Sequence, residues 1–487
     1  MLKPKMIDCD VVVVGTGAAG MMAALTAAEA GAQVYCISKL PYRAPSCTTR
    51  AYGDITWCDR ATRDELFRQV VETGGFLGNQ DLVDRFVHSV PRALAKLRVL
   101  GAQFDEPKPA AEGMPGTVRW SYRGTDSGQD LLDRIHAGAR GHRITFMYGL
   151  AAVEVLVNRG AVCGLSTIGL KAREPVIFRA PWVVLATGGG AGIFARTDNP
   201  AGTTGDGIAM AWDAGADLID LELISFGYPQ ARIADVLARG EELREELLGL
   251  GYAHYFLGGV RVDTRAESGP LSGLYAAGEV AGGLFGAARL GGSALADCLI
   301  SGRQAGDWAG YDLGRLERTE LPENLVAAAA DRVETILRGN DWPGPLHERI
   351  REICWRGLGP VKTEASITRA LEELDEIAPE IAFCGGAERE AIRLAVEVRQ
   401  MHTVAELVAR ASLERRETRG CYWRADCPEP DDETQLRSIV VRKARSGCEI
   451  SSQPLVWSRL TQPTEPRIGA GCFGYLQRQG EDQPRPS

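Results

Sequence analysis

Asp10-Val11-Val12-Val13-Val14-Gly15-Thr16-Gly17-Ala18-Ala19-Gly20 decides the fold of this chain. Four consecutive valines suit a strand buried on both faces of a parallel sheet. The stretch after Gly20 is rich in Ala and Leu and reads as a helix, and the apolar run at 33–37 reads as the next strand. This is a βαβ unit with a GxGxxG turn between its first strand and its helix. Gly15 permits the tight turn, Gly17 lets the backbone approach a pyrophosphate, and Gly20 lets helix and strand pack closely. Ala18 and Ala19 open the helix, whose free N–H groups and dipole favour negative charge. A bare GxGxxG is a weak signal; between a strand and a helix it points to a dinucleotide. A ribose-binding acid is expected at the end of the second strand. Ser38-Lys39 stands there instead. Ser38 can hydrogen-bond a ribose and Lys39 can sit near phosphate, so this turn alone leaves NAD, NADP and FAD open.

Further glycine clusters follow in order. They are Leu185-Ala186-Thr187-Gly188-Gly189-Gly190, Thr203-Thr204-Gly205-Asp206-Gly207, Gly273-Leu274-Tyr275-Ala276-Ala277-Gly278-Glu279 and Ala288-Arg289-Leu290-Gly291-Gly292-Ser293-Ala294-Leu295. Together with 46–55, His254-Tyr255-Phe256-Leu257-Gly258-Gly259 and the run from Arg416 to Asp432, this series resembles the flavoproteins of the succinate dehydrogenase and fumarate reductase family, which also includes L-aspartate oxidase. The resemblance covers most of residues 8–440 in family order. It implies FAD as cofactor and a Rossmann-like α/β FAD-binding domain.

Composition fits an enzyme of this kind. The 487 residues suffice for two or three domains, and 57 glycines suit loops that approach a cofactor. A net charge of −9 argues against a nucleic-acid partner. No apolar stretch reaches the length of a membrane span, and the first strand begins close to Met1 with no signal peptide in view. The expectation is a cytoplasmic protein that reaches the inner membrane only through a partner. The twelve cysteines include no CxxC pair and no metal-ligand spacing, so they read as reduced thiols and no metal site is expected.

Residues 1–226 and 254–312 are expected to form one FAD-binding domain. Helical spacing runs through 61–100, another helix through 129–140, and a meander of strands through 151–186. The periodicity of 321–417 suggests a helical C-terminal domain, placed at 321–432. Residues 433–487 read as an extension whose end, 477–487, is disordered. The segment 227–253 is the anomaly. Family members carry a full cap domain there, whereas 27 residues are fewer than the ~50 of a small domain. It reads as a reduced cap, with one charged helix at 233–248.

The resemblance also implies the chemistry: hydride passes between flavin N5 and a carbon next to a carboxylate. His254 and Arg289 match two substrate-binding positions, since Arg grips a carboxylate bidentately and His adds a hydrogen bond. A satisfied core histidine and an arginine paired with a phosphate or a helix end are the plainer readings of the same two residues. Gly227 stands where the family has a substrate-binding histidine. Arg232, Arg239 and Arg244 lie in the short insertion, but no motif selects one as the cap arginine. The N-terminus at Leu290 to Ser293, continuing through Leu295, matches the helix that points at the flavin N1–C2 carbonyl. Glu279 matches the residue that binds the ribityl or ribose hydroxyls. Thr187, Gly188, Gly189 and Asp206 match other cofactor loops, as do Ser46, Thr48 and Gly53. Cys47 stands where succinate dehydrogenases carry a His linked to the flavin. A thiolate could form the same bond, although many members hold FAD noncovalently.

The expected substrate is a small carboxylate or amine. Two alternatives stand beside a dehydrogenase or reductase: an amine or amino-acid oxidase like L-aspartate oxidase, and an electron-transfer flavoprotein subunit. The missing cap also suggests a partner subunit, covering the flavin mouth or carrying an electron relay.

Overall fold

A computed structural model describes residues 2–104, 108–109, 116–119, 127–227, 249, 251–314, 318–445 and 447–463. The helix at 233–248, Arg232, Arg239, Arg244 and the end at 477–487 all lie outside the described residues.

The valine run forms the strand Val11–Val14, completely buried, at the centre of a five-stranded parallel sheet. Its neighbours are Trp182–Leu185 on one side and Val34–Ser38 on the other; Leu274–Ala276 and Ile144–Tyr148 form the edges. Strands from near both ends of the first 276 residues thus share one sheet. The helix Ala18–Glu29 follows the glycine turn and packs against the helix Ser293–Tyr311. Their contact is a row of small residues. A β-carbon at Gly302 would lie 2.3 Å from the Ala19 carbonyl oxygen, at Gly306 2.5 Å from that of Ala23, and at Gly310 2.4 Å from Ala30 Cβ. Glycine at every fourth position therefore sets the interhelix distance.

The strands Leu150–Asn158, Ala161–Gly169 and Glu174–Arg179 form the expected antiparallel meander, and Lys5–Asp8 pairs parallel to the last. The final part of 151–186 departs from it. Trp182–Leu185 is apolar and buried throughout, so it joins the parallel sheet. Residues 61–100 give two helices, Arg63–Thr73 and Gln80–Val99. They are divided where Gly75 and Phe76 adopt φ of +62° and +64°, and Asn79 caps the second by accepting from Asp81 N at 2.9 Å.

Four helices make up the helical region: Glu323–Arg338, Gly344–Leu358, Glu364–Ile381 and Arg389–Glu414. Thr363 and Ser366 cap the third reciprocally. Beyond it, Arg437–Ala444 and Gly447–Pro454 form a hairpin that pairs with Leu218–Ile219. The part of the extension after 433 thus adds two strands to the sheet that holds Gly259–Arg261 and Ala281–Gly282. Only Ile439, Val440 and Val441 in this hairpin are buried and apolar in succession. Its charged flanks bond outward instead, Arg442 to both oxygens of Asp217 at 2.8 and 2.7 Å.

A buried charge network joins this region to the centre. Arg415 is wholly enclosed; it donates to Glu222 at 2.6 Å, to Glu417 at 3.0 Å and to the carbonyls of Gln435 and Arg437. Burial and the neighbouring Glu222 push Asp220 up to about 7, against the pull of Arg415. Glu222 precedes the strand Ile224–Gly227, which pairs antiparallel with Tyr252–Phe256. The chain therefore leaves for the insertion at Gly227 and returns at Tyr252 side by side.

Candidate functional site

The site is assembled at the ends of the parallel strands. Gly15 has φ +117°, and a β-carbon there would lie 2.1 Å from the Ala186 carbonyl oxygen. One at Gly20 would lie 1.9 Å from the Gly15 carbonyl oxygen. Both glycines are required by packing alone. Gly17 differs: a β-carbon there would meet only Thr48 Oγ1, at 3.3 Å. The helix that begins at Ala18 has no acidic residue in its first turn and no side-chain cap on Gly17. That is a cradle for an anion, and it fits the pyrophosphate of FAD. Thr48 completes it, its hydroxyl accepting from Ala18 N at 3.1 Å. Ser46 and Thr49 brace the loop through reciprocal hydrogen bonds of 2.8 and 3.1 Å, and Gly53 ends it with φ +86°.

Lys39, expected near phosphate, and Asp206, expected in a cofactor loop, bind each other. Lys39 ion-pairs with Asp206 and with Glu397, each at 2.7 Å, and donates to Thr204 Oγ1 at 2.9 Å. Burial pulls its pKa down, but the two carboxylates outweigh burial and raise it. Lys39 and Asp206 therefore satisfy each other, and their link to Glu397 ties the second strand to the helix Arg389–Glu414. The spare hydrogen-bonding capacity at this strand end is on Ser38, whose Oγ accepts from Leu40 N at 3.1 Å.

Glu279 is buried and accepts from Phe256 N at 2.9 Å. Burial pushes its carboxyl up to about 7, opposed by that hydrogen bond and by His254 and Arg289. A β-carbon on Gly189 would stand 2.1 Å from Glu279 Oε1, so the loop from Thr187 through Gly188 passes directly over the carboxylate. Thr187 Oγ1 accepts from Gly207 N at 3.1 Å. The helix Ser293–Tyr311 also starts without a side-chain cap or a first-turn acid, after Gly292 at φ +76°. Ser293 donates to the Leu290 carbonyl at 2.6 Å, and Leu295 is buried beneath. The helices that begin at Ala18 and Ser293 thus both start without a bond from their own N-cap residue and without a first-turn acid.

Cys47 is exposed, and its sulfur donates to Asn199 Oδ1 at 3.0 Å. The protein around that sulfur, and then the charge of Glu279, push the thiol up to about 12.

His254 and Arg289 come together. Arg289 Nη2 lies 3.0 Å from His254 Nε2, and His254 Nδ1 lies 2.7 Å from Asp198 Oδ2. This arrangement assigns the proton to Nδ1, which donates to Asp198, and makes Nε2 the acceptor from Arg289. The guanidinium is fixed twice more. Its carbon lies 4.4 Å from the centre of the Tyr255 ring, and Nη1 donates to the Leu290 carbonyl at 3.3 Å. Among the described residues its buried Nε has no hydrogen-bond partner. Asn199 Nδ2 binds both the Asp198 carboxylate, at 2.9 Å, and the His254 carbonyl, at 2.7 Å. The plainer reading of His254 as a core residue does not hold, because its side chain is 42% exposed.

Asp198, Asn199, Tyr252 and Tyr255 escaped the sequence reading. Asp198 and Asn199 follow no motif, and Ala253 pairs with Thr197 across 56 residues to bring them beside His254. Tyr255 had a signal, being an aromatic next to His254 in the quoted motif.

Residues 10–244 and 249–295 match the family described as FAD binding domain, and residues 347–468 match fumarate reductase flavoprotein C-term. L-Aspartate oxidase of Mycobacterium tuberculosis is 30% identical, over 92% of this chain and 98% of its own. A fumarate reductase (CoM/CoB) subunit of Methanothermobacter marburgensis is 27% identical, over 91% and 98%. Among solved structures, Mycobacterium smegmatis Sdh1 superposes with a TM-score of 0.83 at 25% identity, over 93% of this chain and 95% of that one. E. coli quinol fumarate reductase FrdA gives 0.84 at 22% identity, over 94% and 99%.

Proposed function

The chain belongs to the FAD-dependent flavoprotein oxidoreductases of the succinate dehydrogenase and fumarate reductase family, and on that premise we propose that it moves hydride between flavin N5 and a carbon beside a substrate carboxylate held by Arg289 and His254. The observation that carries this reading is the 3.0 Å contact between those two side chains, with the His254 ring part-exposed. FAD supplies the hydride donor or acceptor. The chain's own groups supply the rest. Arg289, its guanidinium carbon over the Tyr255 ring, presents its remaining N–H donors to a carboxylate. Asp198 fixes the His254 ring through Nδ1. The helix N-terminus at Ser293 favours negative charge on the reduced ring. Other groups bind and orient without reacting: Ala18 and Thr48 at the pyrophosphate, Glu279 at the hydroxyls.

The relatives' lengths support the reading of 227–253 as a reduced cap. The alignment with the archaeal protein spans 542 residues although 91% of a 487-residue chain enters it. We propose that a second protein chain covers the mouth, where Tyr52 and Cys47 are exposed. Among the described residues no helix is long and apolar enough to cross a membrane.

The test is anaerobic titration of the purified flavoprotein with dicarboxylates, monocarboxylates, amino acids and amines, following flavin absorbance in both redox directions. A carboxylate-bearing compound should change the redox state, and Arg289→Lys should raise its KM, because Lys lacks the planar fork. Reaction with simple amines alone, unaffected by Arg289→Lys, would overturn the reading. The native mass of the complex tests the second chain.

A further inference from the structure

Gly227 and Tyr252 face each other across the paired strands that flank the insertion. A β-carbon at Gly227 would stand 2.4 Å from Cε2 and Cζ of Tyr252 and 2.6 Å from its hydroxyl oxygen. The ring therefore lies over the glycine backbone and fills the space any side chain at 227 would need. Tyr252 and His254 are two apart on the strand Tyr252–Phe256, so their side chains leave on the same face. Burial follows the same alternation: Tyr252 and His254 are part-exposed, while Ala253 and Tyr255 are buried. Beyond burial, Asp198 and Tyr52 lie close enough to push the Tyr252 phenol upward. Among the described residues its hydroxyl has no hydrogen-bond partner.

The charges around this face are unequal. Arg289 is the guanidinium that meets His254. Arg50 donates to the Asp198 carbonyl at 3.0 Å, and Arg196 donates to the Gly249 carbonyl and stacks on Trp355. Asp198 adds a negative charge on the side of Tyr252. Among the described residues the cations on that side, Arg50 and Arg196, each donate to a backbone carbonyl, and the Asp198 carboxylate opposes a second substrate carboxylate there. An aryl or alkyl tail would meet the phenol ring instead.

We propose that Tyr252, lying in the space left open at Gly227, is a specificity-determining residue that makes this site select monocarboxylates with an apolar or aromatic tail over four-carbon dicarboxylates. The inference rests on the functional reading above and names its substrate class.

The experiment uses holoprotein and paired probes that share their reacting carbons: trans-cinnamate against fumarate, 3-phenylpropanoate against succinate, and L-phenylalanine against L-aspartate. Binding is read from perturbation of the flavin spectrum, and turnover from its redox change. The aryl member of at least one pair should bind and react better by about tenfold or more. Tyr252→Ala should raise its KM about tenfold with little change in kcat, while Tyr252→Phe keeps the wild-type KM. Flavin content and melting temperature of each variant confirm that the fold is intact. Equal or better use of the dicarboxylates, with Arg289→Lys still impairing them, overturns the specificity and leaves the functional reading standing. If no probe binds or reacts, both fall. Unchanged aryl KM in an intact Tyr252→Ala protein also overturns the proposal.

Discussion

Asp198 holds His254 by Nδ1 at 2.7 Å, and that contact leaves Nε2 free to accept from Arg289 at 3.0 Å. The three side chains come from separate segments, and the carboxylate lies behind the ring, on the side away from Arg289. Its effect is on the orientation and tautomer of the ring. Asp198→Ala should lower kcat/KM on the order of a hundredfold, the cost of a reactive group displaced by ~1 Å. Asp198→Asn, whose amide oxygen can still accept from Nδ1, should recover much of that loss. Steady-state kinetics of both variants at full flavin content would check this, and an unaffected Asp198→Ala enzyme would disprove the orienting role.

Glu279 gives a pH dependence with a defined sign. Burial pushes its carboxyl up to about 7 in the folded chain, against 4.5 for the free group. Between those values the folded chain holds a proton that the unfolded chain has released, so this residue lowers stability as pH rises from 4.5 to 7. FAD hydroxyls donating to the carboxylate favour its ionised form. FAD affinity should therefore rise with pH, by up to about tenfold between about pH 6 and 8, and then level off. Glu279→Gln should flatten the profile. Equilibrium dialysis of apoprotein against FAD would measure it, and a flat wild-type profile would remove Glu279 from the hydroxyls.

Gly17 is the turn glycine with room for a side chain: its β-carbon would touch only Thr48 Oγ1. Gly17→Val should therefore fold and lose FAD, whereas Gly15→Val and Gly20→Val should fail to fold, because both β-carbons would overlap backbone. Circular dichroism with flavin quantitation separates the two outcomes. A Gly17→Val protein with full FAD would show that the pyrophosphate lies elsewhere.

Arg415→Ala should destabilise the chain by about 3–5 kcal/mol, since it strands the buried Glu222 without a cation and leaves Glu417 to Arg419 alone. The loss should be larger at about pH 8 than at pH 6, because Asp220, pushed up to about 7, is then charged as well. Denaturant midpoints at the two pH values test both statements.

The glycine turn, the alternation in the meander and the helical periodicity were legible because each depends on residues close in sequence. Motifs named His254, Arg289, Glu279 and Ser293 as candidates, and two of them, His254 and Arg289, meet in the folded chain. What escaped depended on partners far along the chain. Lys39 reads as a phosphate contact and Asp206 as a cofactor-loop residue, and their ion pair across more than 160 residues, joined by Glu397 on a helix of another region, is not visible in either motif. Asp198 reads as an ordinary loop residue until Ala253 pairs with Thr197. The hairpin after Arg437 was hidden because its strands carry charge on their flanks and take their partner from Leu218–Ile219.

The row of Gly302, Gly306 and Gly310 against Ala19, Ala23 and Ala30 bears on how the protein is made. The helix Ala18–Glu29 is nearly all small and apolar, buried from Ala18 to Ala28, and much of what buries it is Ser293–Tyr311. During synthesis the first βαβ unit leaves the ribosome long before that cover exists. Three further strands of the finished sheet, Ile144–Tyr148, Trp182–Leu185 and Leu274–Ala276, also arrive late. Chains released before Tyr311 is made therefore leave this apolar helix face without its cover, an exposure of the kind that favours aggregation. The close packing that gives the finished flavoprotein its rigid cofactor cradle is the same feature that delays its folding until translation is well past the middle.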